Sequence, residues 1–413
     1  MRVAVIGSGI AGLGAAYALS RVHDVEVFER DTRPGGHANT VTVPRPGGGE
    51  LHLDTGFLVH NEHNYPLLSR LFRELGVAVQ DSDMSFAVSA PSEGVEYSAV
   101  RLWSQPRALM NPAVLGLFRE VIRFLRTGQT ALEERHATST LGDYVTQEGY
   151  SRRFRDLYLV PFASALWSTA PAETLAFPVS YAVRFFQNHG LLGFRRHQWR
   201  TVTGGSRSYV NAITAPLGAR LRLGTEVRAV TRDADGVGVR TADDAVHRFD
   251  AVVVASHAPQ ALAMLADADA REREVLGAFR TTLNSTVLHT DVSLLPRRPA
   301  ARGSWNYLID DPAAPSPLPT VTYYLNKLQA IDGPEHYCVT LNRDDRIDPD
   351  RVIRRIEYAH PLYTFASLAA QERLPTLNGR RRTWFCGAYH GVGFHEDGLA
   401  SGLRAAAALG APW

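Results

Sequence analysis

The stretch from Met1 to Arg30 constrains this chain most, because it reads as strand, glycine turn, helix, strand and acid in that order. Val3 to Ile6 is a short apolar run of the kind a buried parallel strand needs, and Gly7, Gly9 and Gly12 follow it at the spacing G-x-G-x-x-G. Each glycine has its own task. Gly7 permits the tight turn, Gly9 lets a pyrophosphate approach the backbone, and Gly12 lets the next helix lie close to the strand. That helix, Ile10 to about Arg21, places Ile10 and Ala11 in its first turn, where free N–H groups and the positive end of the dipole face an anion. Val25 to Phe28 returns as a second strand. Glu29, followed by Arg30, stands roughly 20 residues beyond the glycines, where a carboxylate accepts from ribose hydroxyls. A glycine triplet framed in this way predicts a dinucleotide site; the bland alternative is a tight turn that binds nothing.

A chain of 413 residues exceeds the roughly 250–300 at which one hydrophobic core stops growing, so two domains are expected. The formal net charge of +2 gives no electrostatic footprint for nucleic acid. Lys327 is the only lysine, so a catalytic lysine has a single candidate. Cys338 and Cys386 are the only cysteines, too few for a disulfide framework or a zinc site, and they suit a reducing compartment. No stretch approaches the 18 or more apolar residues of a spanning helix, and the expectation is a cytoplasmic protein without a metal.

After Glu29 come Gly35, Gly36 and His37, then Asp54-Thr55-Gly56 beyond a proline- and glycine-rich turn at Pro44 to Glu50. With a ribose acid followed by a glycine pair and then an acid-x-glycine segment, the chain resembles the flavin amine oxidase and phytoene desaturase superfamily. The resemblance implies FAD. It places the glycine pair over the adenosine and phosphate half of the cofactor and Asp54, Thr55 and Gly56 near the flavin ring.

Further along, Tyr65-Pro66, Leu67, Leu68, Leu71, Phe72 and Leu75 fall at helical spacing with Gly76 as the stop, and the first crossing between domains is expected here. Met84 to Val88 and Glu96 to Val100 read as strands around the turn Pro91 to Gly94. Pro112 to Arg126 is an amphipathic helix, with Val114, Leu115, Leu117, Phe118, Val121, Ile122 and Leu125 on one stripe and Arg119, Arg123 and Arg126 on the other. Such a helix packs on its own core or lies in an anionic membrane surface, so residues 112–126 are a candidate peripheral membrane contact. Between Phe154 and Arg200 the chain is aromatic and poor in acids, including Phe194, and prolines at 161, 171 and 178 break it into short helices. That composition builds either plain core or an apolar pocket with Asn188 and His189 as polar anchors.

Thr203-Gly204-Gly205-Ser206 opens a helix, and Leu221 to Val230 reads as one strand in which the resemblance puts Val227 against the adenine through main-chain bonds. Phe249 to Ala255 is a fully buried strand, Ala261 to Arg280 reads as helical, and Thr286 to Thr290 and Tyr337 to Leu341 alternate as strands. Asp310 to Pro319 is a proline-rich loop. Amine oxidases of the superfamily carry a lysine in a strand corresponding to Thr286 to Thr290; this chain has none there, which puts ordinary amine oxidation in doubt and leaves Lys327 as a substitute from a neighbouring strand. Thr383 to Ala388 is a strand followed by a second glycine turn with Gly391, Gly393 and Gly398, and an alanine-rich helix from Leu399 to Leu409. The resemblance aims this helix at the pyrimidine edge of the flavin and puts Gly387, Gly393, Phe394, Gly398 and Leu399 beside it. Ala388 stands where most members have an acid, so Glu396 or Asp397 either supplies the ribityl contact or caps a helix.

Within the superfamily the chain is similar to predicted FAD-binding oxidoreductases related to the amine-oxidase-like portion of plant cyclopropane fatty acid synthases. It is carried by Asp54 to Val59, Ser82 to Phe86, Phe186 to Leu192, Tyr324 to Gln329 and Gly393 to Gly398. This resemblance implies an α/β protein whose Rossmann-type FAD-binding domain (1–60, 201–260 and 380–413) is interleaved with an α+β substrate domain (61–200 and 261–379). The expected activity is an FAD-dependent oxidoreductase that transfers a hydride from a carbon of an apolar, lipid-like substrate to flavin N5, giving desaturation or isomerisation. His395 and then His189 are the candidate polar groups near the reacting carbon. The alternatives are an amine oxidase releasing peroxide and a non-catalytic lipid-binding protein of the same fold.

Overall fold

The computed structural model describes residues 1–45, 47–98, 110–192, 197–310 and 318–413. The end of the strand expected at Glu96 to Val100, Pro46, Phe194 and most of the proline-rich loop lie outside the described residues.

Five parallel strands form the sheet that carries the glycine turn. Their order is Thr383–Phe385, Ala251–Val254, Arg2–Ile6, Asp24–Phe28 and Leu221–Arg222. Successive side chains of a strand point to opposite faces, so each run feeds two cores. Val3, Val5 and Val253 pack with Ala15, Ala16 and Leu19 of the helix Ile10–Leu19 and with Ala405 and Leu409 near the C-terminus. Ala4, Ile6, Val252 and Val254 pack on the opposite face with Val230, Val237 and Leu276. This two-sided burial explains why the strands read as unbroken apolar runs. A second, seven-stranded sheet of mixed direction takes its strands from Phe86–Ala90 and Val95–Ser98 and from the region 280–362. Against it lie the aromatic helices of 154–188, including Phe154, Trp167, Phe177, Phe185 and Phe186.

The structure revises several local expectations. The run Leu221 to Val230 is two strands: Leu221–Arg222 closes the parallel sheet, whereas Val227–Arg232 belongs to a separate antiparallel sheet. Gly224, with φ +63°, turns the chain between them. The expected helix over Ala261 to Arg280 is also two elements, Ala258–Met264 and Ala270–Gly277. Asp269 breaks it by capping the second, accepting from the Glu272 N–H at 2.8 Å. The C-terminal helix begins at His395, four residues before the expected start.

Pro112–Thr127 is a helix, but its apolar stripe is split. Val114, Leu117, Val121 and Phe124 are buried, while Leu115 and Ile122 are 48% and 41% exposed beside exposed Arg119, Arg123 and Arg126. No helix among the described residues is long and apolar enough to cross a membrane.

Candidate active site

The carboxyl ends of the parallel strands open on a single cavity of about 910 Å³. Strands in open α/β sheets present their ligand crevice at this edge. Ile6 to Ala11, Phe28 to Asp31, Ala255 to His257 and Gly387 to Tyr389 line it, each just beyond a strand end. Gly7 has φ +101°, and a Cβ there would stand 2.7 Å from the Ala255 carbonyl oxygen. At Gly12 a Cβ would stand 1.9 Å from the Gly7 carbonyl oxygen, so only glycine lets the helix begin this close to the turn. Glu29 braces the turn from the next strand. One carboxylate oxygen accepts from the Ser8 N–H at 2.8 Å and the Ser8 hydroxyl at 2.6 Å, and the other accepts from the Asp31 N–H at 2.9 Å. The glycine turn near the C-terminus adds Gly393, Phe394, His395 and Gly398, which brings the N-terminal end of the last helix to the same cavity.

The remaining wall comes from the second sheet and the aromatic helices: Met84, Phe86, Phe162, Trp167, Phe185 and Trp305 are among its residues. Among the described residues, the helices of 160–189 and the strands 86–90 and 305–308 contribute no lysine, arginine or carboxylate to this wall, and Ser168, Tyr323 and His189 are polar groups beside it. One chamber thus joins an anion-binding turn to an apolar space.

The sequence pattern of the flavin containing amine oxidoreductases matches residues 10–294. The chain belongs to that family. It is therefore an FAD-dependent oxidoreductase. Solved structures share the fold: a candidate protoporphyrinogen oxidase from Exiguobacterium sp. 255-15 (TM-score 0.68, 18% identity, covering 99% of this chain and 98% of that one); cyclohexylamine oxidase from Brevibacterium oxydans IH-35A (0.66, 18%, 99% and 98%); and a CLA-producing fatty acid isomerase from P. acnes (0.63, 17%, 97% and 96%).

The residues fit FAD on the structure's own terms, because the cradle is shaped to admit a ligand at Gly9, where a Cβ would meet no protein atom within 4 Å. Of the residues expected from the sequence, Gly7, Gly9, Ile10, Ala11, Glu29, Arg30, Gly36, His37, Gly56, Val227, Gly387, Gly393, Phe394, Gly398, His189 and His395 line this flavoprotein's cavity. Gly12, Gly35, Asp54, Thr55, Glu396, Leu399 and Lys327 are not on its wall, and the polar ones among them are engaged elsewhere. Asp54 is buried and accepts from the Thr40 hydroxyl at 2.6 Å and from the Ser206 N–H and hydroxyl, so it ties the hairpin 40–54 to the start of the helix Arg207–Thr214. The Thr55 hydroxyl bonds the Asn39 carbonyl and the Tyr358 hydroxyl. Glu396 accepts from the N–H groups of Leu67 and Leu68 at 2.8 and 3.0 Å, capping the helix Pro66–Glu74, and Asp397 accepts from Phe394 N–H at 2.9 Å, capping its own. Both acids are thus helix caps. The Lys327 ammonium donates to the Arg302 carbonyl, in the short helix Leu325–Leu328, away from the wall.

The two candidate histidines are neutral. Burial holds His395 down to about 3, and burial holds His189 down to about 4 despite its bond to the Phe185 carbonyl. His395 stacks on Phe57 with ring centroids 3.9 Å apart, and its Nε2 meets the Tyr209 hydroxyl at 3.0 Å. His189 donates from Nδ1 to the Phe185 carbonyl at 3.0 Å, which leaves its Nε2 as an acceptor. Sequence reasoning missed Tyr358 and His360, which line the cavity from the strand Val352–Leu362. Val352, Ile356 and Tyr358, which share one face at strand spacing, were the available signal, obscured by Arg354 on the same face and by Arg355 and Pro361; the strand is an edge, where proline is tolerated.

Proposed function

We propose that this FAD-dependent oxidoreductase acts on an apolar, lipid-like substrate and oxidises or isomerises it at carbon. The observation that carries the reading is the uncharged aromatic wall around Phe86, Phe162, Trp167 and Trp305, continuous with the cofactor cradle. FAD, when bound, supplies the two-electron acceptor; Gly7, Gly9, Gly36 and Glu29 hold its nucleotide half. The protein's part is binding, orientation and exclusion of water. Each methylene withdrawn from water into that wall contributes about 0.8 kcal/mol, or roughly fourfold in affinity. His395 and His189 are polar positioning groups: a neutral imidazole orients a substrate hydroxyl, carbonyl or carboxyl by hydrogen bonding and adds no charge to the apolar space. The N-terminal end of the helix His395–Ala408 favours electron density that accumulates next to it. The exposed Leu115 and Ile122 among Arg119, Arg123 and Arg126 extend the proposal to peripheral contact with an anionic membrane from which such a substrate is drawn.

Anaerobic flavin reduction tests the reading. Fatty acids and acyl esters of graded length, presented in anionic and in zwitterionic vesicles, are expected to bleach the flavin or return positional isomers, with affinity rising with chain length. Bleaching by primary or cyclic amines, with peroxide in air and no response to any lipid, would replace it with amine oxidation.

A further inference from the structure

His37, which follows the glycine pair directly, lines the cavity with no hydrogen-bond partner for either ring nitrogen among the described residues. Its ring stacks on Tyr358 with centroids 4.8 Å apart, and His360 and His257 lie 5.5 and 6.1 Å away. All three imidazoles line the cavity, and His257 stands two residues beyond Ala255, which Gly7 approaches closely. The titratable groups with the largest influence on His37 are the rings of His360, His257 and His395, themselves neutral near pH 7, and Arg33, whose guanidinium donates to the Gly36 carbonyl at 2.9 Å. Arg30 acts on His257, and the Asn284 amide donates to His360 Nδ1 at 2.9 Å. The carboxylates on the wall are Glu29, committed to Ser8 and Asp31; Asp31, beside Arg30; Glu226, 4.0 Å from Arg228; and Glu357 on the strand 352–362. None of them is among the largest influences on His37.

Burial, with the neighbouring imidazoles and the Arg33 guanidinium opposing a further positive charge, holds His37 well below the usual histidine range, so its ring is neutral near pH 7. With no acid bonded to this ring beside the anion-binding turn, a proton added to it has no counter-charge until an anion arrives. A diphosphate supplies one.

Resting on FAD as the cofactor, we propose that His37 binds the cofactor's diphosphate as an imidazolium, taking up one proton as FAD enters, with His257 and His360 completing a histidine cradle opposite the glycine turn.

Linkage fixes the sign. The free ring titrates low and the bound ring high, so affinity for FAD strengthens as pH falls between the two, by about tenfold per pH unit for one proton. The test uses the full chain freed of flavin. FAD is titrated by fluorescence quenching from pH 5.5 to 8.5, and proton uptake is measured by calorimetry in two buffers of different ionisation enthalpy. ADP-ribose is the second probe, because it carries the same diester diphosphate without the flavin. Wild type is expected to bind both more tightly at low pH with about one proton taken up. His37→Gln should abolish the uptake and flatten the profile. His37→Arg, with a permanent cation, should bind tightly and flatly. Thermal midpoints of both variants check folding, and the arginine variant still reports if the glutamine variant does not fold. Binding to wild type that is independent of pH, or uptake with FAD but none with ADP-ribose, overturns the proposal. A chain that binds no FAD at any pH fails the cofactor reading instead.

Discussion

Replacing Gly9 by alanine separates binding from folding more cleanly than any other change in the glycine turn. Gly9 caps the first helix with φ −67° and ψ 176°, a conformation open to any residue, and a Cβ there meets no protein atom within 4 Å. Without ligand the substitution costs only the difference between glycine and alanine as N-caps, a few tenths to about 1 kcal/mol. With ligand the methyl stands where a diphosphate approaches the backbone, and relieving such overpacking costs about 1–3 kcal/mol. That is about 5- to 150-fold in Kd. Gly12→Ala is the contrast, because its Cβ would lie 1.9 Å from a backbone oxygen whether or not anything is bound. The assay is a pair of measurements on each variant: the thermal midpoint of the flavin-free chain and the Kd for FAD by fluorescence quenching. Gly9→Ala should keep a midpoint close to wild type and lose affinity, whereas Gly12→Ala should lose both. FAD bound by Gly9→Ala as tightly as by wild type would refute the reasoning, since the cofactor would then not approach that backbone.

Gly402→Ala would place a Cβ 2.0 Å from the Ala11 carbonyl oxygen and wedge the last helix away from the first, so its thermal midpoint and flavin content should both fall, with a cost of about 1–3 kcal/mol or more. Gly116→Ala, exposed in the helix 112–127 with nothing within 4 Å, should stabilise by up to about 1 kcal/mol; the opposite order in thermal denaturation would count against the helix contact. Burial raises Asp54 to about 6, so folding favours its protonated form: that contribution is present below about pH 4 and is lost as pH rises through about 6. Denaturant unfolding should show wild type losing on the order of 3 kcal/mol across that window relative to Asp54→Asn, and parallel profiles would refute the assignment.

What could be read from the sequence was what short stretches settle among themselves. The turn Gly7 to Gly12, the strand 24–28 and the helix 66–74 each follow from residues within a few positions of one another, and the alternation of Val3, Ala4, Val5 and Ile6 between two cores explains why both faces had to be apolar. What could not be read was pairing across the chain. Glu396 finds its partners 329 and 328 residues away at Leu67 and Leu68, so no local pattern distinguishes a flavin contact from a cap. His360 reaches the cavity because the strand 352–362 pairs antiparallel with 280–289, setting Leu283 opposite Ala359 and Thr282 opposite His360. Local periodicity does not specify that register.

The segments that carried the resemblance without an evident chemical task acquire one from the same long-range contacts. Asp54 N–H donates to Gln329 Oε1, Gln329 Nε2 donates to the His52 carbonyl, Gln80 donates to the Gln329 carbonyl and the Ser82 hydroxyl donates to the Leu328 carbonyl, all between 2.7 and 3.1 Å. Lys327 holds Arg302, and the Ser304 hydroxyl donates to Asp83 at 2.6 Å, one residue from Met84 and one from Trp305 on the cavity wall. Residues 52–54, 80–85, 302–304 and 324–329 therefore form a polar seam that fixes the apolar wall relative to the strands beside the cofactor cradle. A charge or hydroxyl on that wall would itself need a buried partner. Placing the polar groups one residue behind it lets the chain position Met84 and Trp305 through hydrogen bonds while their face of the cavity stays apolar. Lysine at position 327 joins this seam through the Arg302 carbonyl, two residues before Ser304 and three before Trp305.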